Sequence, residues 1–163
     1  MGTGKTTIGR MIAETLRFAF VDTDEMIEAR TGKTIAQIFA SEGEPKFREL
    51  ERLTVDELAD RKKSVISTGG GLPVFGDNLN QLKLHSLTVC LWSSPEKIFE
   101  RVRSQSHRPL LNEPNPLDKI RALLAVREPF YRRADVLVNT ELRSAREVAQ
   151  QIIHHFHTAR MAQ

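Results

Sequence analysis

Apolar residues recur along this chain with two alternating periods, one typical of helices and one typical of buried strands. From Lys5 to about Leu16 they return every three or four positions, which predicts an amphipathic helix. Four short apolar runs, each bounded by polar or turn-forming residues, have the length of buried strands. These runs are Phe18–Val21, Ser64–Thr68, Leu87–Trp92 and Val136–Val138.

Further helical patterns separate and follow these strands. Helices are predicted over residues 25–30, 35–41, 47–60, 79–84, 95–103, 117–131 and 144–159. Asp24, Thr34 and Ser94 stand where N-capping side chains are expected, and Pro129 predicts a kink or restart in its helix. Residues 104–116 hold three prolines and little periodicity, which predicts a mobile loop.

This alternation predicts an α/β fold of three layers, in which helices cover both faces of a parallel sheet. Ligands of such sheets bind beyond the carboxyl ends of the strands. Three polar or glycine-rich segments fall at strand-to-helix turns, namely residues 1–7, 22–24 and 69–71. The sequence therefore predicts one site at this edge of the sheet.

Composition bounds the class of protein without naming a function. The 163 residues are 40% hydrophobic and 28% charged, which suits one soluble domain spanning residues 1–163. Apolar runs are too short to cross a membrane, and the single cysteine, Cys90, excludes an internal disulfide. The net charge of +3 suits an anionic ligand, but the basic residues are dispersed. We therefore expect a cytoplasmic protein that binds neither nucleic acid nor membrane.

The first seven residues, MGTGKTT, resemble the second half of a phosphate-binding loop. Gly4, Lys5 and Thr6 match the last three positions of G-x-x-x-x-G-K-[ST], whose backbone N–H groups surround a polyphosphate. A glycine-capped turn ahead of an ordinary helix is the alternative. The first glycine of the pattern, and the central strand that leads into it, would lie before Met1, so we expect a sheet with unpaired inner edges.

Two further pairs of charged residues have a spacing that suits substrate binding. Asp22 and Asp24 follow a strand, where one could hold Mg²⁺ through water and the other could orient or deprotonate a hydroxyl. Helix capping by Asp24, with Asp22 as a surface charge, is the alternative. Arg48 and Glu51 share a helix face, so Glu51 could hold the arginine for a ligand carboxylate, although a surface ion pair has the same spacing.

Two loop segments complete the candidate site. Gly69–Gly71 would weaken any regular element, so they favour close contact between backbone and ligand, with a flexible turn as the alternative. Arg108 lies in the proline-containing loop and could close over a transferring phosphoryl group, although an exposed arginine is equally ordinary there.

Taken in order, these segments resemble the shikimate kinase family, which has the P-loop kinase fold. The likeness spans nearly the whole chain. It is carried by residues 2–10, Val21–Asp24, Ile38–Phe39, Gly43–Glu44, Phe47–Arg48, Thr68–Gly71, Arg108–Leu111 and Arg127–Tyr131.

The resemblance implies that Mg·ATP phosphorylates the 3-hydroxyl of shikimate, in the pathway to aromatic amino acids. ATP would contact residues Gly2, Thr3, Gly4, Lys5, Thr6, Thr7, Arg101, Arg108 and Arg143. Shikimate would contact Asp24, Arg48, Gly70, Gly71 and Arg127, with Glu51 supporting Arg48. Lys5, Asp24 and Arg108 would be catalytic, and Mg²⁺ would lie near Thr6 and, through water, Asp22. It further implies a monomer with substrate-binding helices at about 25–60 and a lid at about 104–116.

Two alternatives stay open at this point. The chain could be another small-metabolite kinase such as a gluconate kinase, although Arg48, Arg127 and the three glycines argue against it. It could also be a non-catalytic relic that binds nucleotide or shikimate, because its phosphate loop is incomplete. Lys5, Thr6, Asp24 and Arg108 argue against that decay.

Overall fold

The helices and strands follow the predicted alternation. The structure is a computed structural model and describes residues 2–103 and 115–161. Its strands are β1 (Ala19–Asp22), β2 (Ser64–Ser67), β3 (Val89–Trp92) and β4 (Val136–Asn139). Its helices are α1 (Lys5–Leu16), α2 (Thr23–Thr31), α3 (Ile35–Leu58), α4 (Asn78–His85), α5 (Pro95–Val102), α6 (Pro116–Tyr131) and α7 (Ala145–Met161), with a short 3₁₀ helix at Leu72–Val74.

The strands pair in parallel, as predicted, but in two sheets. β1 pairs with β2 from Ala19 opposite Ser64 to Asp22 opposite Ser67, and β3 pairs with β4 from Val89 opposite Val136. Within the described residues no ladder joins β2 to β3. Among the described residues each strand therefore has one hydrogen-bonded neighbour.

One apolar cluster spans both sheets. Ile8 and Ile12 of α1 and Ile152 of α7 are buried together with Val138 of β4, and Val65 of β2 packs against them. On the other face of β3 and β4, α6 lies across a cavity of about 180 Å³ that Trp92 and other side chains line. Helices therefore cover both faces of the second sheet, which gives the layered arrangement expected of an α/β fold.

A second cluster joins α2 to α3. Ile27, Ile38, Phe47 and Leu50 are buried in it. α3 is interrupted at Gly43, whose φ of 79° and ψ of 176° are not helical, so two helical segments meet there. The sequence predicts two separate helices in this region, because the non-helical backbone at Gly43 divides α3 into two segments.

Asp24 is not the N-cap of its helix, contrary to the prediction. The chain is still extended at Asp22, so α2 begins at Thr23 and the Asp22 side chain accepts a hydrogen bond from the Asp24 backbone N–H at 3.0 Å. The predicted caps at Thr34 and Ser94 are confirmed. α6 runs through Pro129 as one helix, so the predicted restart does not occur.

The residues described include no helix that combines the length and apolar character needed to cross a membrane. Most of the predicted lid, residues 104–114, lies outside the described residues.

Candidate active site

The phosphate loop has the backbone that anion binding requires. Gly2 and Gly4 have φ values of 67° and 88°, a region that residues with a Cβ rarely adopt. Gly4 is the N-cap of α1, so Lys5, Thr6 and Thr7 form the first turn of that helix, where N–H groups lack helical partners. A Cβ on Gly2 would lie 2.7 Å from Val102, so α5 packs closely under the loop.

Asp24 lies against the glycine turn that follows β2. A Cβ on Gly69 would come within 2.6 Å of Asp24 Oδ1, and the Gly69 N–H donates to Thr23 Oγ1 at 3.1 Å. Burial raises the pKa of Asp24 above its usual range, and the charges of Asp22 and Glu28 raise it further while Lys5 lowers it. Lys5 is thus close enough to act on the Asp24 carboxyl electrostatically.

Arg48 lies against the other end of the same turn. A Cβ on Gly71 would come within 2.6 Å of Arg48 Nη1. The same Nη1 donates to Glu51 Oε2 at 2.7 Å, and Glu51 is only 1% exposed. Burial raises the pKa of Glu51, while its hydrogen bond and charge interaction with Arg48 oppose the rise. The predicted support of Arg48 by Glu51 is therefore a buried ion pair.

Arg127 and Tyr131 bring α6 to this cluster. The Tyr131 hydroxyl donates to the Gly70 carbonyl at 2.7 Å, and burial raises the pKa of Tyr131. Arg127 interacts electrostatically with both Tyr131 and Glu51, lowering the pKa of each. The structure thus brings Asp24, Arg48, Glu51 and Arg127 to the glycine turn that follows β2.

Arg101 and Arg143, which the resemblance assigns to ATP, have partners elsewhere. Arg101 donates from Nη1 to Thr140 Oγ1 at 3.0 Å and from Nη2 to the Thr140 carbonyl, which ties α5 to the end of β4. Arg143 is exposed and donates to Gln151. Their role in binding ATP stays a prediction. Arg108, the predicted lid arginine, lies outside the described residues.

Sequence reasoning assigned no role to four residues that shape this site, although three of them lie in the family motifs. Thr23 accepts from the Gly69 N–H, and Tyr131 donates to Gly70. Glu44 accepts from Nε and Nη2 of Arg48 at 3.0 and 2.6 Å, and the Phe75 ring lies 3.6 Å from the Arg48 guanidinium carbon. Helical spacing could have found two of them, because Glu44 and Arg48, like Arg127 and Tyr131, are four residues apart. Phe75 lies in a loop, where the sequence carries no such signal.

A glycine-rich loop capping α1, a half-buried aspartate after β1 and an arginine held by a buried glutamate are the features of a P-loop kinase of a small molecule. The chain belongs to the shikimate kinase family, because the model of that family, described as shikimate kinase, matches residues 1–157.

Relatives and solved structures agree with this assignment. The chain is 42% identical to a shikimate kinase of Thermodesulfovibrio yellowstonii over 96% of this chain and 90% of that protein. It is 44% identical to a shikimate kinase of Pelotomaculum thermopropionicum over 94% of this chain and 90% of that one. The structure of a shikimate kinase from Acinetobacter baumannii in complex with shikimate is similar, with a TM-score of 0.90 and 41% identity over 98% of this chain and 89% of that chain.

Proposed function

We propose that this chain transfers the γ-phosphoryl group of ATP to the 3-hydroxyl of shikimate, acting through a single kinase domain over residues 1–163. One observation carries the proposal. Gly69 touches Asp24 and Gly71 touches Arg48, so a carboxylate and a carboxylate-binding guanidinium flank one short turn. Two residues of extended chain span at most about 7 Å. Groups separated by about the length of this turn suit one six-membered ring with a carboxylate at one end and a reacting hydroxyl toward the other.

The charges of the site suit this substrate. Arg48 can bind the shikimate carboxylate as a fork, and Arg127 acts electrostatically on Glu51, the partner of Arg48. The two arginines carry two positive charges, and the buried Glu51 balances one of them, whereas Glu44, the other partner of Arg48, is exposed and its charge is screened by solvent. Backbone groups of Gly70 and Gly71 would complete the binding of the ring.

Asp24 would accept the proton of the hydroxyl. Its raised pKa makes it a better proton acceptor than an exposed aspartate, and its electrostatic interaction with Lys5 supports a position near the phosphate loop. The 3-hydroxyl oxygen forms the new bond to the γ-phosphorus as the bond to the β-phosphate oxygen breaks, and the hydroxyl proton passes to Asp24. Lys5 and the N–H groups at the start of α1 stabilise the negative charge of the transferred group. The lid role of Arg108 rests on the family resemblance alone.

The residues present fit Mg²⁺ as the metal of this reaction. Thr6 offers a hydroxyl in the first turn of α1, and Asp22 offers a carboxylate at the end of β1, with Oδ1 engaged in capping α2. Oxygen donors of this kind suit Mg²⁺, which keeps several waters and binds substrate phosphates. Among the described residues, no group of three or more His, Cys, Asp or Glu side chains could hold a metal, which also suits an ion held largely by ATP and water. When bound, Mg²⁺ neutralises charge on the β- and γ-phosphates.

ADP release measured with shikimate and, separately, with gluconate tests the proposal. We expect turnover with shikimate and little with gluconate. Lys5→Met should abolish turnover, and Arg48→Lys should raise the KM for shikimate with little change in the KM for ATP, because lysine cannot form a fork. Arg52→Lys is the matched control on the same helix, since Arg52 is exposed and pairs with Asp56.

The other candidate functions predict different results. Preference for gluconate would identify a different small-metabolite kinase. Shikimate binding without ADP release would identify a non-catalytic relic.

We also infer that the enzyme acts as a cytoplasmic monomer. Its use of ATP and its single cysteine support this compartment, and one chain supplies every residue assigned to the site. Sedimentation velocity in the presence of shikimate should give one species near 18.5 kDa.

A further inference from the structure

Arg48 is held within its own plane by two carboxylates. Glu44 accepts from Nε and Nη2, and Glu51 accepts from Nη1. These bonds lie at two edges of the guanidinium and engage three of its five N–H groups within the described part of the chain. One N–H on each terminal nitrogen is then left for a ligand, which is what a fork to a single carboxylate needs.

These two carboxylates do not fix the tilt of the Arg48 guanidinium plane, which can still rotate about the line that joins them. Phe75 does, because its ring centroid lies 3.6 Å from the guanidinium carbon, at stacking distance. Phe47, the other aromatic neighbour among the described residues, lies further away, at 5.3 Å. Stacking uses the face of the guanidinium and therefore engages none of its N–H groups.

Phe75 itself is held by its loop. It follows the 3₁₀ helix Leu72–Val74, in which Leu72 is fully buried and the Val74 N–H donates to the Gly71 carbonyl at 2.9 Å. Asn78 donates to the Leu72 carbonyl at 3.1 Å and closes the turn that follows. The loop that places Gly71 against Arg48 therefore also places the Phe75 ring against the face of the Arg48 guanidinium.

We propose that Phe75 is a positioning residue that sets the plane of Arg48 for the substrate carboxylate. This inference rests on the proposed function, because it assigns Arg48 to the shikimate carboxylate. It makes substrate affinity depend on an aromatic ring that does not itself need to touch the substrate.

The test replaces the ring and follows the substrate carboxylate. Phe75→Leu and Phe75→Met remove the aromatic face and keep an apolar side chain, and Phe75→Tyr retains the face. For the first two we expect the KM for shikimate to rise about 3- to 30-fold, the range that a cation–π contact supports. The KM for ATP and kcat should change less than about twofold, and Phe75→Tyr should restore the low KM.

Two controls separate positioning from a general structural role. Phe18→Leu removes a half-buried ring that packs edge-on against Phe156, at the other end of α1, and should leave the KM for shikimate unchanged. Methyl shikimate, whose carboxyl is neutral, should show the same KM with wild type and with Phe75→Leu, because no fork is formed.

The outcomes distinguish this inference from the proposed function. Wild-type turnover of shikimate with an unchanged KM in Phe75→Leu and Phe75→Met overturns the role of Phe75 alone. An equal rise in KM for shikimate and for its methyl ester also overturns it. A wild-type chain that does not turn over shikimate overturns both proposals.

Discussion

Folding favours the protonated form of the Asp24 carboxyl, whereas the proposed chemistry needs the ionised form. Burial and the nearby charge of Asp22 raise its pKa above the usual 3.8, so the native state favours the protonated form more than the unfolded chain does. Phosphoryl transfer needs the ionised form. The ionised carboxylate that the proposed reaction uses therefore lowers the stability of the native state relative to the protonated form.

Asp24→Asn tests both sides of this opposition. We expect kcat to fall by about 10²- to 10⁴-fold, the usual contribution of a general base. The stability that proton binding to Asp24 contributes is fully present below pH 3.8 and is lost as pH rises through the raised native pKa. At pH 7 the variant should therefore melt at a higher temperature than wild type, and this gain should shrink as pH falls toward 3.8.

The wild-type pH profile is the companion measurement. Activity should decline as pH falls through the native pKa of Asp24, above the range of an exposed aspartate. Full activity in Asp24→Asn, or a variant less stable than wild type at pH 7, would contradict the role given to this residue.

Glu51→Gln tests whether the buried ion pair serves binding. Gln keeps the volume and one acceptor oxygen but loses the charge that holds Nη1 of Arg48. We expect the KM for shikimate to rise about tenfold, the effect of weakening one charged hydrogen bond. Burial raises the pKa of Glu51 despite the charge of Arg48, so the ionised side chain costs stability, and Glu51→Gln should melt no lower than wild type at pH 7.

The matched control is Glu49→Gln on the same helix. Glu49 is exposed and pairs with Lys46 at 3.0 Å, a contact of the kind that contributes little. Both kinetic constants should stay at wild-type values in this control. An equal effect in the two variants would mean that charge on α3, rather than the grip on Arg48, sets affinity.

At the scale of elements, the turn after β2 organises the site, because each of its glycines meets a different partner. Gly69 meets Asp24, Gly71 meets Arg48, and Tyr131 donates to Gly70. The sequence predicts contact between this turn and a ligand. The structure shows that the turn also touches the two side chains that would hold that ligand.

Alanine at each end of the turn should give a different kinetic defect. In Gly69→Ala the new Cβ falls 2.6 Å from Asp24 Oδ1, so we expect kcat to drop at least tenfold, because a small displacement of a catalytic group has large effects. In Gly71→Ala the Cβ falls 2.6 Å from Arg48 Nη1, so the KM for shikimate should rise instead. Steady-state kinetics with shikimate as the varied substrate separate the two.

Gly32→Ala is the control for substitution itself. Gly32 has a φ of 67°, and a Cβ added there would meet nothing within 4 Å, so alanine should cost about 1–2 kcal/mol of stability and leave kinetics unchanged. If Gly69→Ala and Gly71→Ala also lose only stability, the turn does not position the site.

The sequence predicts the helices and strands of this molecule better than it predicts the contacts between side chains. Periodicity locates the helices and strands because burial of one face repeats every few residues, as in α1 and β3. It misplaces the cap of α2, since Asp22 and Asp24 are both good capping residues and only the end of β1 decides between them. It does not reveal Phe75, because stacking across a loop depends on how that loop folds over α3.

The family resemblance predicts contacts between distant residues, which hydrophobic periodicity cannot predict. Asp24, Arg48 and Arg127 are distant in sequence, and no local pattern requires them to meet. They are brought together because β1 and β2 are parallel neighbours and α6 returns across the glycine turn. The family motifs carry that topology, whereas the partners of Arg101 and Arg143 in this chain could be known only from the structure.

For the whole molecule, stability depends on the cluster that joins the two sheets, between which the described residues form no ladder. Ile152 of α7 is 8% exposed and packs with Ile8, Ile12 and Val138, so truncation to alanine should cost about 2–5 kcal/mol. Leu142→Ala is the control, since Leu142 is 97% exposed and should change stability by less than about 0.5 kcal/mol.

Trp92, the single tryptophan, reports on the sheet of β3 and β4, whereas far-ultraviolet circular dichroism reports on all helices. Because α1 and α7 pack across both sheets, we expect the two probes to give one coincident denaturant transition that Ile152→Ala moves as a whole. Separate transitions, with only the tryptophan signal shifted, would mean that the sheets unfold independently.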